Sequence, residues 1–397
     1  MAKQPEGEIP PVTGELPEPA LGNFESTPFS FYIHVPFCSS RCGYCDFNTY
    51  TAEELGISSR TTWADTAIQE VELAAKVIPV GKSVSTIFIG GGTPTLLPAS
   101  EITRVLAAIN QKFPIERNAE ITIEANPDSV DLEKLSALKA AGINRISFGM
   151  QSASSRVLKV LERSHSTGAI ELAVAAARAA GIDNINIDLI YGTPGETLDD
   201  LRLSLDVVTK LAVEHVSAYA LIVEDGTRLA RQISQGDIAS PDDDDMADKY
   251  ELIDTFLSAL GMQWYELSNW SFPAHECEHN LNYWKSHNWW GIGPGAHSHI
   301  GGVRWWNAKH PNTWTHKLSE SESPAVGREI LTAQDQQFED LLLRMRLREG
   351  FAIGQAAQEV SQELLDEGLI HLTEDDRAVL TLRGRLLADA IVHRLTL

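Results

Sequence analysis

Six short runs of β-branched and aromatic residues recur between residues 31 and 222, and each is followed by a stretch with helical spacing of its apolar positions. The runs, predicted to be strands, are Phe31–Val35, Ser85–Ile89, Ala119–Pro127, Asn144–Gln151, Asn184–Gly192 and His215–Ile222. The predicted helices are Ser58–Val77, Pro98–Phe113, Asp131–Ala141, Ser154–Glu162, Thr167–Ala180, Leu198–Leu211 and Asp244–Leu260.

Regular alternation of strand and helix predicts an α/β fold with a parallel sheet and right-handed crossovers. Polar residues recur at the ends of the strands, which favours a barrel with its site at the carboxyl-terminal rim. The periodicity alone does not separate such a barrel from an open, doubly wound sheet. We therefore expect a barrel core over residues 29–270 and a segment rich in histidine and tryptophan over 271–326 that completes the site.

The two ends of the chain have a different character. Residues 1–28 carry five prolines within the first nineteen positions and little apolar periodicity, which predicts a disordered lead-in. In residues 327–397 the strand–helix rhythm stops. The elements predicted there are helices at Asp335–Met345 and Ile353–Glu367, a hairpin formed by 369–372 and 378–382, and a closing helix at Arg383–Arg394. This order predicts a small winged-helix-like α+β module, and its acidic surroundings favour a packing or partner role over DNA binding.

Charge and hydropathy narrow the classes of partner. The net charge of −23 and the pI near 4.9 argue against nonspecific binding of nucleic acid or of anionic membranes. No apolar run approaches the roughly 18 residues of a membrane span, and the first residues lack the pattern of a signal peptide. The chain has only four cysteines, which leads us to expect a cytoplasmic protein.

Three of the four cysteines, Cys38, Cys42 and Cys45, lie on a loop after the first strand with the spacing C-x3-C-x2-C. Three thiolates can hold three irons of a [4Fe–4S] cube and leave the fourth iron open to a small molecule. Disulfides fit poorly, because the number is odd and nothing indicates secretion. A zinc site with Asp46 or His34 as the fourth ligand stays open as an alternative.

The cysteine spacing, with Tyr44 before the third cysteine, resembles the signature of the radical S-adenosylmethionine (SAM) proteins. The string from Tyr32 to Cys38, Y-I-H-V-P-F-C, resembles the branch that contains the oxygen-independent coproporphyrinogen III oxidases and the haem chaperones called HemW. The matches extend from about residue 30 to the C-terminus. The resemblance implies a partial (β/α)6 barrel. It also implies that SAM chelates the unique iron and receives an electron from the cluster, which cleaves it to methionine and a 5′-deoxyadenosyl radical.

Candidate SAM-binding residues follow from the same resemblance. In the related oxidases the residues that match Tyr32, Gly91 and Glu124 contact a first SAM. The positions that contact a second SAM match Gly92, Thr93, Gln151, Arg163, Asp188 and Ile222. Tyr44 is counted with the cofactor-binding residues. The residues by themselves indicate less, because a triple glycine also occurs in plain turns and a strand-end glutamate is often merely solvated. Whether one SAM or two bind stays open.

Two features decide between the branches. The oxidases carry a further cysteine two residues after the third, and this chain has Phe47 there, as the chaperones do. The string His279-Asn-Leu-Asn-Tyr-Trp284 resembles the H-N-x-x-Y-W motif of the chaperones and makes His279 the candidate haem ligand. The alternatives are that His279 only caps a turn in the core, or that nearby Cys277 binds the iron. His297, in a later glycine loop, is a weaker candidate for contact with SAM or haem.

The sequence thus predicts a haem chaperone that binds a [4Fe–4S] cluster, SAM and haem and passes haem to an acceptor protein. An electron donor for the cluster and peripheral contact with membrane haem enzymes belong to that expectation, and nucleic acid does not. The alternative is an oxygen-independent coproporphyrinogen III oxidase. A radical SAM methylase or dehydrogenase of another substrate has no motif in its favour.

Overall fold

The computed structural model describes residues 6–55, 58–163, 168–352 and 358–395. Its main element is a twelve-stranded sheet with the order β12-β11-β10-β9-β1-β2-β3-β4-β5-β6-β8-β7. The strands are β1 Phe29–Val35, β2 Val84–Gly91, β3 Ile115–Ala125, β4 Arg145–Gln151, β5 Asn184–Tyr191, β6 His215–Ala220, β7 Gln263–Glu266, β8 Asn269–Ser271, β9 Asn288–Ile292, β10 His297–Ile300, β11 Val303–Asn307 and β12 Ala325–Ile330.

Helices connect and cover these strands. They are α1 Ala52–Leu55, α2 Ser58–Thr61, α3 Trp63–Val77, α4 Ala99–Lys112, α5 Leu132–Ala140, α6 Ser155–Val160, α7 Ala169–Ala179, α8 Leu198–Leu211, α9 Arg228–Ser234, α10 Asp243–Ala259, α11 Glu278–Trp284 and α12 Pro311–Ser319. The helix predicted over Ser58–Val77 is thus two helices. Part of the helix predicted from Thr167 lies outside the described residues. Strands β7–β12 and helices α1, α9, α11 and α12 were not predicted.

The strand order decides between the two architectures that the periodicity left open. Strands β1 to β6 lie side by side in chain order, and each pairs in parallel with the next. A doubly wound sheet would reverse its order at a switch point, and this one does not. The arrangement is therefore the partial (β/α)6 barrel that the resemblance implied. Strand β1 is buried on both faces, as is usual for a parallel strand that lies between the covering helices and the interior of a barrel.

The sheet does not close on itself but is extended at both edges. Strand β9 pairs in parallel with β1, and β10 to β12 continue from it in antiparallel order. At the other edge, β8 and β7 add antiparallel strands next to β6. The segment rich in histidine and tryptophan therefore supplies β9 to β11 and lies beside the strand that precedes the cysteine loop.

The C-terminal residues form a small α+β unit with a hydrophobic core of its own. Its elements are α13 Ala333–Arg344, β13 Phe351–Ala352, α14 Gln358–Asp366, β14 Ile370–Leu372, β15 Arg377–Leu380, α15 Leu382–Leu386 and α16 Ala388–Leu395, and its antiparallel strands have the order β13-β15-β14. The helix predicted over Ile353–Glu367 begins within residues 353–357, which lie outside the described part. Arg385 docks the unit on α10 through two 2.8 Å contacts with the Asp254 carboxylate.

The prediction of a disordered lead-in is wrong for residues 6–28. Ala20 and Phe24 are buried in the main hydrophobic core. The Lys82 ammonium donates hydrogen bonds of 2.6–2.9 Å to three backbone carbonyls between Phe24 and Thr27. The backbone of Glu8 also exchanges two hydrogen bonds with that of Arg328 in β12. Proline content suggested disorder, but these long-range contacts fix the segment; residues 1–5 lie outside the description.

Of the helices that are described, none combines the length and the apolar character needed to cross a bilayer.

Candidate functional site

A cavity of about 600 Å³ occupies the interior of the partial barrel and opens at the carboxyl ends of its strands. The predicted site residues all line it, and they are Tyr32, Cys38, Cys42, Tyr44, Cys45, Gly91, Gly92, Thr93, Glu124, Gln151, Arg163, Asp188, Ile222 and His279. Residues from positions 32 to 279 of the chain therefore share one space. This common location is consistent with a joint site, while the role of each residue stays a prediction.

The cysteine loop is held in place by backbone hydrogen bonds at both of its ends. The amide of Cys38 donates to the Tyr50 carbonyl at 3.0 Å, and the Tyr50 amide donates to the Pro36 carbonyl at 2.7 Å. The glycine turn after β2 supports the same loop, because the Thr93 amide donates to the Phe37 carbonyl at 2.7 Å. Local sequence thus forms the loop, and the neighbouring strand sets its position.

The three thiols fit an iron–sulfur cluster in their chemistry. All three are free and half-buried at the cavity wall. Burial raises the pKa of Cys45 to about 11 and also raises that of Cys38, so both thiols are protonated at neutral pH until a metal displaces the protons. The Arg163 guanidinium lies 3.4 Å from the Cys42 sulfur and supplies positive charge next to it. Sulfur ligands of this kind suit iron–sulfur clusters.

The zinc alternative gains no further ligand in this arrangement. His34 donates from Nε2 to the Asn48 carbonyl at 2.9 Å, and its Nδ1 accepts from the Tyr32 hydroxyl at 2.9 Å. Both ring nitrogens are therefore engaged. Within the described ranges, no group of three or more His, Cys, Asp or Glu side chains is placed to hold a single metal ion.

The glycine turn presents bare backbone to the cavity. Gly91 has a φ of +111°, and a Cβ there would lie 2.6 Å from the His34 ring. A Cβ at Gly92 would lie 2.4 Å from the Phe37 carbonyl oxygen. Side chains are thus excluded at both positions by close approach. The Gly91 amide donates to the Glu124 carboxylate at 2.9 Å, which joins two of the predicted SAM-binding residues.

Two carboxyl groups are buried in the cavity, where burial disfavours their charged forms and a bound cation would stabilise them. Burial, with a smaller contribution from nearby Asp188, raises the pKa of Glu124 to about 8. Burial likewise raises the pKa of Asp188, although Ser147 and Asn186 donate hydrogen bonds to its carboxylate at 2.9 and 2.7 Å. Arg163 is fixed by donating to the Gly149 carbonyl at 2.7 Å. These groups suit a small ligand that carries both an ammonium and a carboxylate.

His279 lies on the short helix α11 at the inner end of the cavity and is only 1 % exposed. Its Nδ1 lies 2.7 Å from the Thr86 hydroxyl, and its Nε2 lies 2.9 Å from the Tyr283 hydroxyl. Burial, followed by the charge of Arg145, lowers the pKa of His279 to about 3, so the ring is neutral. Haem ligation by His279 stays a prediction, and it requires that one of these two hydrogen bonds be broken.

Cys277 and the start of α11 are bound by one buried carboxylate. Glu120 of β3 accepts from the amides of Glu278 and His279 at 3.1 and 3.0 Å and lies 3.4 Å from the Cys277 sulfur. Burial raises the pKa of Cys277 to about 12, which keeps the thiol protonated. Cys277 is therefore fully buried beside a carboxylate, whereas the other three cysteines are half-buried.

Sequence reasoning missed the polar residues that line the inner half of the cavity. They are Arg145, Ser147, Asn186, His215, Ser217, Tyr219, Tyr265 and Asn269. Several lie on β4, β5 and β6 at alternate positions, so their side chains face the interior of the barrel. Polar residues with period two inside otherwise apolar strands were the available signal.

A parallel sheet of six strands in chain order, with three cysteines on the loop after its first strand, is the architecture of radical SAM proteins. Residues 32–208 match the profile of the Radical SAM superfamily. The chain is 48% identical over 380 residues to a protein of Mycobacterium tuberculosis named heme chaperone HemW, covering 95% of this chain and 97% of that one. It is 33% identical over 381 residues to the HemW protein of Escherichia coli, covering 92% and 97%. The chain belongs to the HemW family of this superfamily.

Among solved structures, the fold is similar to that of the coproporphyrinogen III oxidase HemN of Escherichia coli, which is described as a radical SAM enzyme. The TM-score is 0.81, and the match covers 95% of this chain and 92% of that one. At 24% identity, this likeness concerns the fold alone.

Proposed function

We propose that this protein is a haem chaperone that binds a [4Fe–4S] cluster through Cys38, Cys42 and Cys45, binds SAM beside it, and passes haem to an acceptor protein. The observation that carries this proposal is the environment of the cysteine loop. Its three free thiols face the cavity, and the position of the oxidases' further cysteine is occupied by Phe47, whose side chain is 58 % exposed. Relatives that match more than nine-tenths of this chain carry the name heme chaperone.

The residues around the cavity have separable tasks in this proposal. When bound, the cluster supplies one electron at a time to SAM. The glycine turn at Gly91 and Gly92 offers backbone against which the methionyl end of SAM can lie, and Glu124 provides a carboxylate for its ammonium. Gln151, Arg163, Asp188 and Ile222 line the remaining wall, with Tyr32, Tyr44 and Thr93. An electron donor and the acceptor protein complete the set of partners, and we place the protein in the cytoplasm.

The metal content of the purified protein tests the cluster. After anaerobic reconstitution, the wild-type protein should contain about four irons and four sulfides per chain. Serine at Cys38, Cys42 or Cys45 should remove most of both. Cys277→Ser is the matched control, since that thiol is buried against Glu120, and it should retain the wild-type content. Zinc in place of iron, or an unchanged iron content in the three loop variants, would contradict the proposal.

Turnover separates the chaperone from the oxidase. Anaerobic incubation of the reconstituted protein with SAM, a reductant and coproporphyrinogen III should give no protoporphyrinogen IX. Titration of the same protein with haemin should give a saturable Soret shift, and the haem should move to an apo-acceptor when one is added. Steady formation of protoporphyrinogen IX would establish the oxidase function instead.

A further inference from the structure

A second cavity, of about 920 Å³, lies beside the first and shares Tyr32, Phe47, Gly91, Glu124 and Tyr283 with it. Its volume is within the range of about 300–1,000 Å³ that is typical of small-molecule sites. One side is formed by the strands β9 to β11 and the residues that precede them. The other side is formed by the C-terminal unit through α13. Binding of a cluster by the three loop cysteines does not require this second cavity.

Flat aromatic surfaces form the wall between the two cavities. Tyr283 packs edge-on against the Trp289 ring, with 4.7 Å between the ring centroids, and Trp284 lies beside them. Leu342 and Leu343 of α13 contribute apolar side chains from the C-terminal unit. A planar, largely apolar macrocycle is the kind of ligand that such walls favour. Tyr283 and Trp284 are also the last two residues of the H-N-x-x-Y-W string.

Three histidines line the second cavity, but two have both ring nitrogens occupied. His34 bonds to Tyr32 and to the Asn48 carbonyl. His299 donates from Nδ1 to the His287 carbonyl at 3.0 Å, and its Nε2 accepts from the Gly302 amide at 3.2 Å. Neither ring can bind a metal without losing a hydrogen bond.

His297 is the exception. The residue is only partly buried, and the described residues place no hydrogen bond on either of its ring nitrogens. The ring lies against Trp306 at 5.9 Å between centroids with 29° between the planes, which fixes its orientation. Burial and the charges of Lys309 and Arg304 lower the pKa of His297, so the imidazole is neutral at pH 7, as an iron ligand must be.

Two arginines line the cavity together with Glu124 and Glu339, and each arginine is paired with a carboxylate. Arg304 pairs with Glu329 at 2.6 Å and with Glu339 at 3.0 Å, and Arg346 pairs with Asp389 at 3.0 Å. These pairs lie at or near the surface, and Asp389 is 97 % exposed, so each pair contributes little and can be exchanged for another carboxylate. A ligand with two carboxylates that enters the cavity could therefore contact both arginines.

We propose that this second cavity is the haem site, that His297 would bind the haem iron, and that Arg304 and Arg346 would bind the propionates. The inference rests on the proposed haem chaperone function and gives it a location. His279 is then a positioning residue, because its Nε2 holds the hydroxyl of Tyr283, which forms the wall between the cavities. The cluster and SAM would occupy the first cavity, and the shared residues Tyr32, Gly91 and Glu124 would lie between SAM and haem.

The ligand is tested by haemin titration followed by absorption and electron paramagnetic resonance. His297→Ala should weaken haemin binding by about tenfold or more and change the spin state of the iron, and added imidazole should restore the wild-type spectrum. His279→Ala should weaken binding through Tyr283 yet keep the wild-type spectrum, with no response to imidazole. His316→Ala, an exposed change outside both cavities, is the control and should match the wild type.

The carboxylate contacts are tested by comparing haemin with its dimethyl ester. The double variant Arg304→Gln, Arg346→Gln should lose about tenfold in affinity for haemin and little for the ester. Arg344→Gln, on α13 but outside the cavity, should behave as the wild type.

The outcomes distinguish this inference from the function on which it rests. If the wild-type protein fails to bind haemin, the chaperone function fails with it. If the wild type binds haemin and His297→Ala leaves affinity and spectrum unchanged, only the location is wrong. An imidazole-restored spectrum in His279→Ala would make His279 the ligand. Displacement of haemin by SAM would assign the second cavity to SAM and overturn the inference as well.

Discussion

The Arg163 guanidinium lies 3.4 Å from the Cys42 sulfur and donates at the same time to the Gly149 carbonyl at 2.7 Å. One side chain thus ties the cysteine loop to the end of β4. Because the group is largely buried, its charge is poorly screened at the proposed cluster. Arg163 should therefore stabilise the additional negative charge of a reduced cluster.

Replacing Arg163 by Gln is expected to make the reduction potential of the reconstituted cluster more negative by tens of millivolts, since a nearby positive charge is lost. A redox titration followed by electron paramagnetic resonance measures the shift. Arg156→Gln is the control, because that arginine is exposed and pairs with Asp200 at the surface. An unchanged reduction potential in Arg163→Gln would show that the charge of Arg163 does not influence the cluster.

Alanine at Gly92 should disturb the cysteine loop without touching a cysteine. The added Cβ would lie 2.4 Å from the Phe37 carbonyl oxygen, one residue before Cys38. We expect a loss of about 1–3 kcal/mol in the free energy of unfolding and a clear fall in iron per chain. Urea unfolding and iron analysis give the two values. Gly22→Ala, with a φ of −59° and its nearest neighbour at 3.4 Å, should leave both unchanged.

The buried carboxyl of Glu124 should make the stability of the metal-free protein depend on pH. Its pKa is raised to about 8 in the folded state, above the value near 4.5 of an exposed glutamate. Between these values the folded chain binds more protons than the unfolded chain, so this group lowers stability as pH rises from about 4.5 to 8.

Glu124→Gln removes this titration and keeps an oxygen for the Gly91 amide. Relative to the wild type, the variant should gain stability with rising pH, by up to about 1.4 kcal/mol for each pH unit, and level off above pH 8 or so. Urea unfolding at a series of pH values measures the difference. A difference that is constant from pH 5 to 9 would show that Glu124 titrates normally.

Glu70 of α3 joins the barrel to the segment rich in histidine and tryptophan. Its carboxylate accepts from the Gly293 amide at 2.8 Å, from Trp314 Nε1 at 2.7 Å and from Asn307 Nδ2 at 2.7 Å. In Glu70→Gln, the side-chain NH2 group would face one of these donors and could not accept its hydrogen bond. We therefore expect a loss of about 1–3 kcal/mol in the free energy of unfolding at pH 8. Unfolding followed by tryptophan fluorescence measures it. Glu72→Gln, exposed on the same helix, should change stability by less than about 0.5 kcal/mol.

Much of the central fold is readable from local patterns. The helix predicted over Leu198–Leu211 is observed with the same limits, and the strand predicted over Asn184–Gly192 is observed over Asn184–Tyr191. In both, apolar periodicity and a capping or glycine signal act over a few residues. The strands β7 to β12 were missed because they are short and lie in an aromatic-rich stretch whose periodicity is weak.

The sequence by itself determined the cysteine loop and the alternation of six strands with helices, because a cysteine spacing and a βα rhythm are properties of neighbouring residues. Only the tertiary structure decided that β9 lies beside β1, more than 250 positions away, and so brought His297 close to the cysteine loop. It also decided that His279 faces Thr86 and Tyr283 rather than open space. The partners of a side chain depend on strands and helices that meet only when the chain folds, and no local pattern contains them.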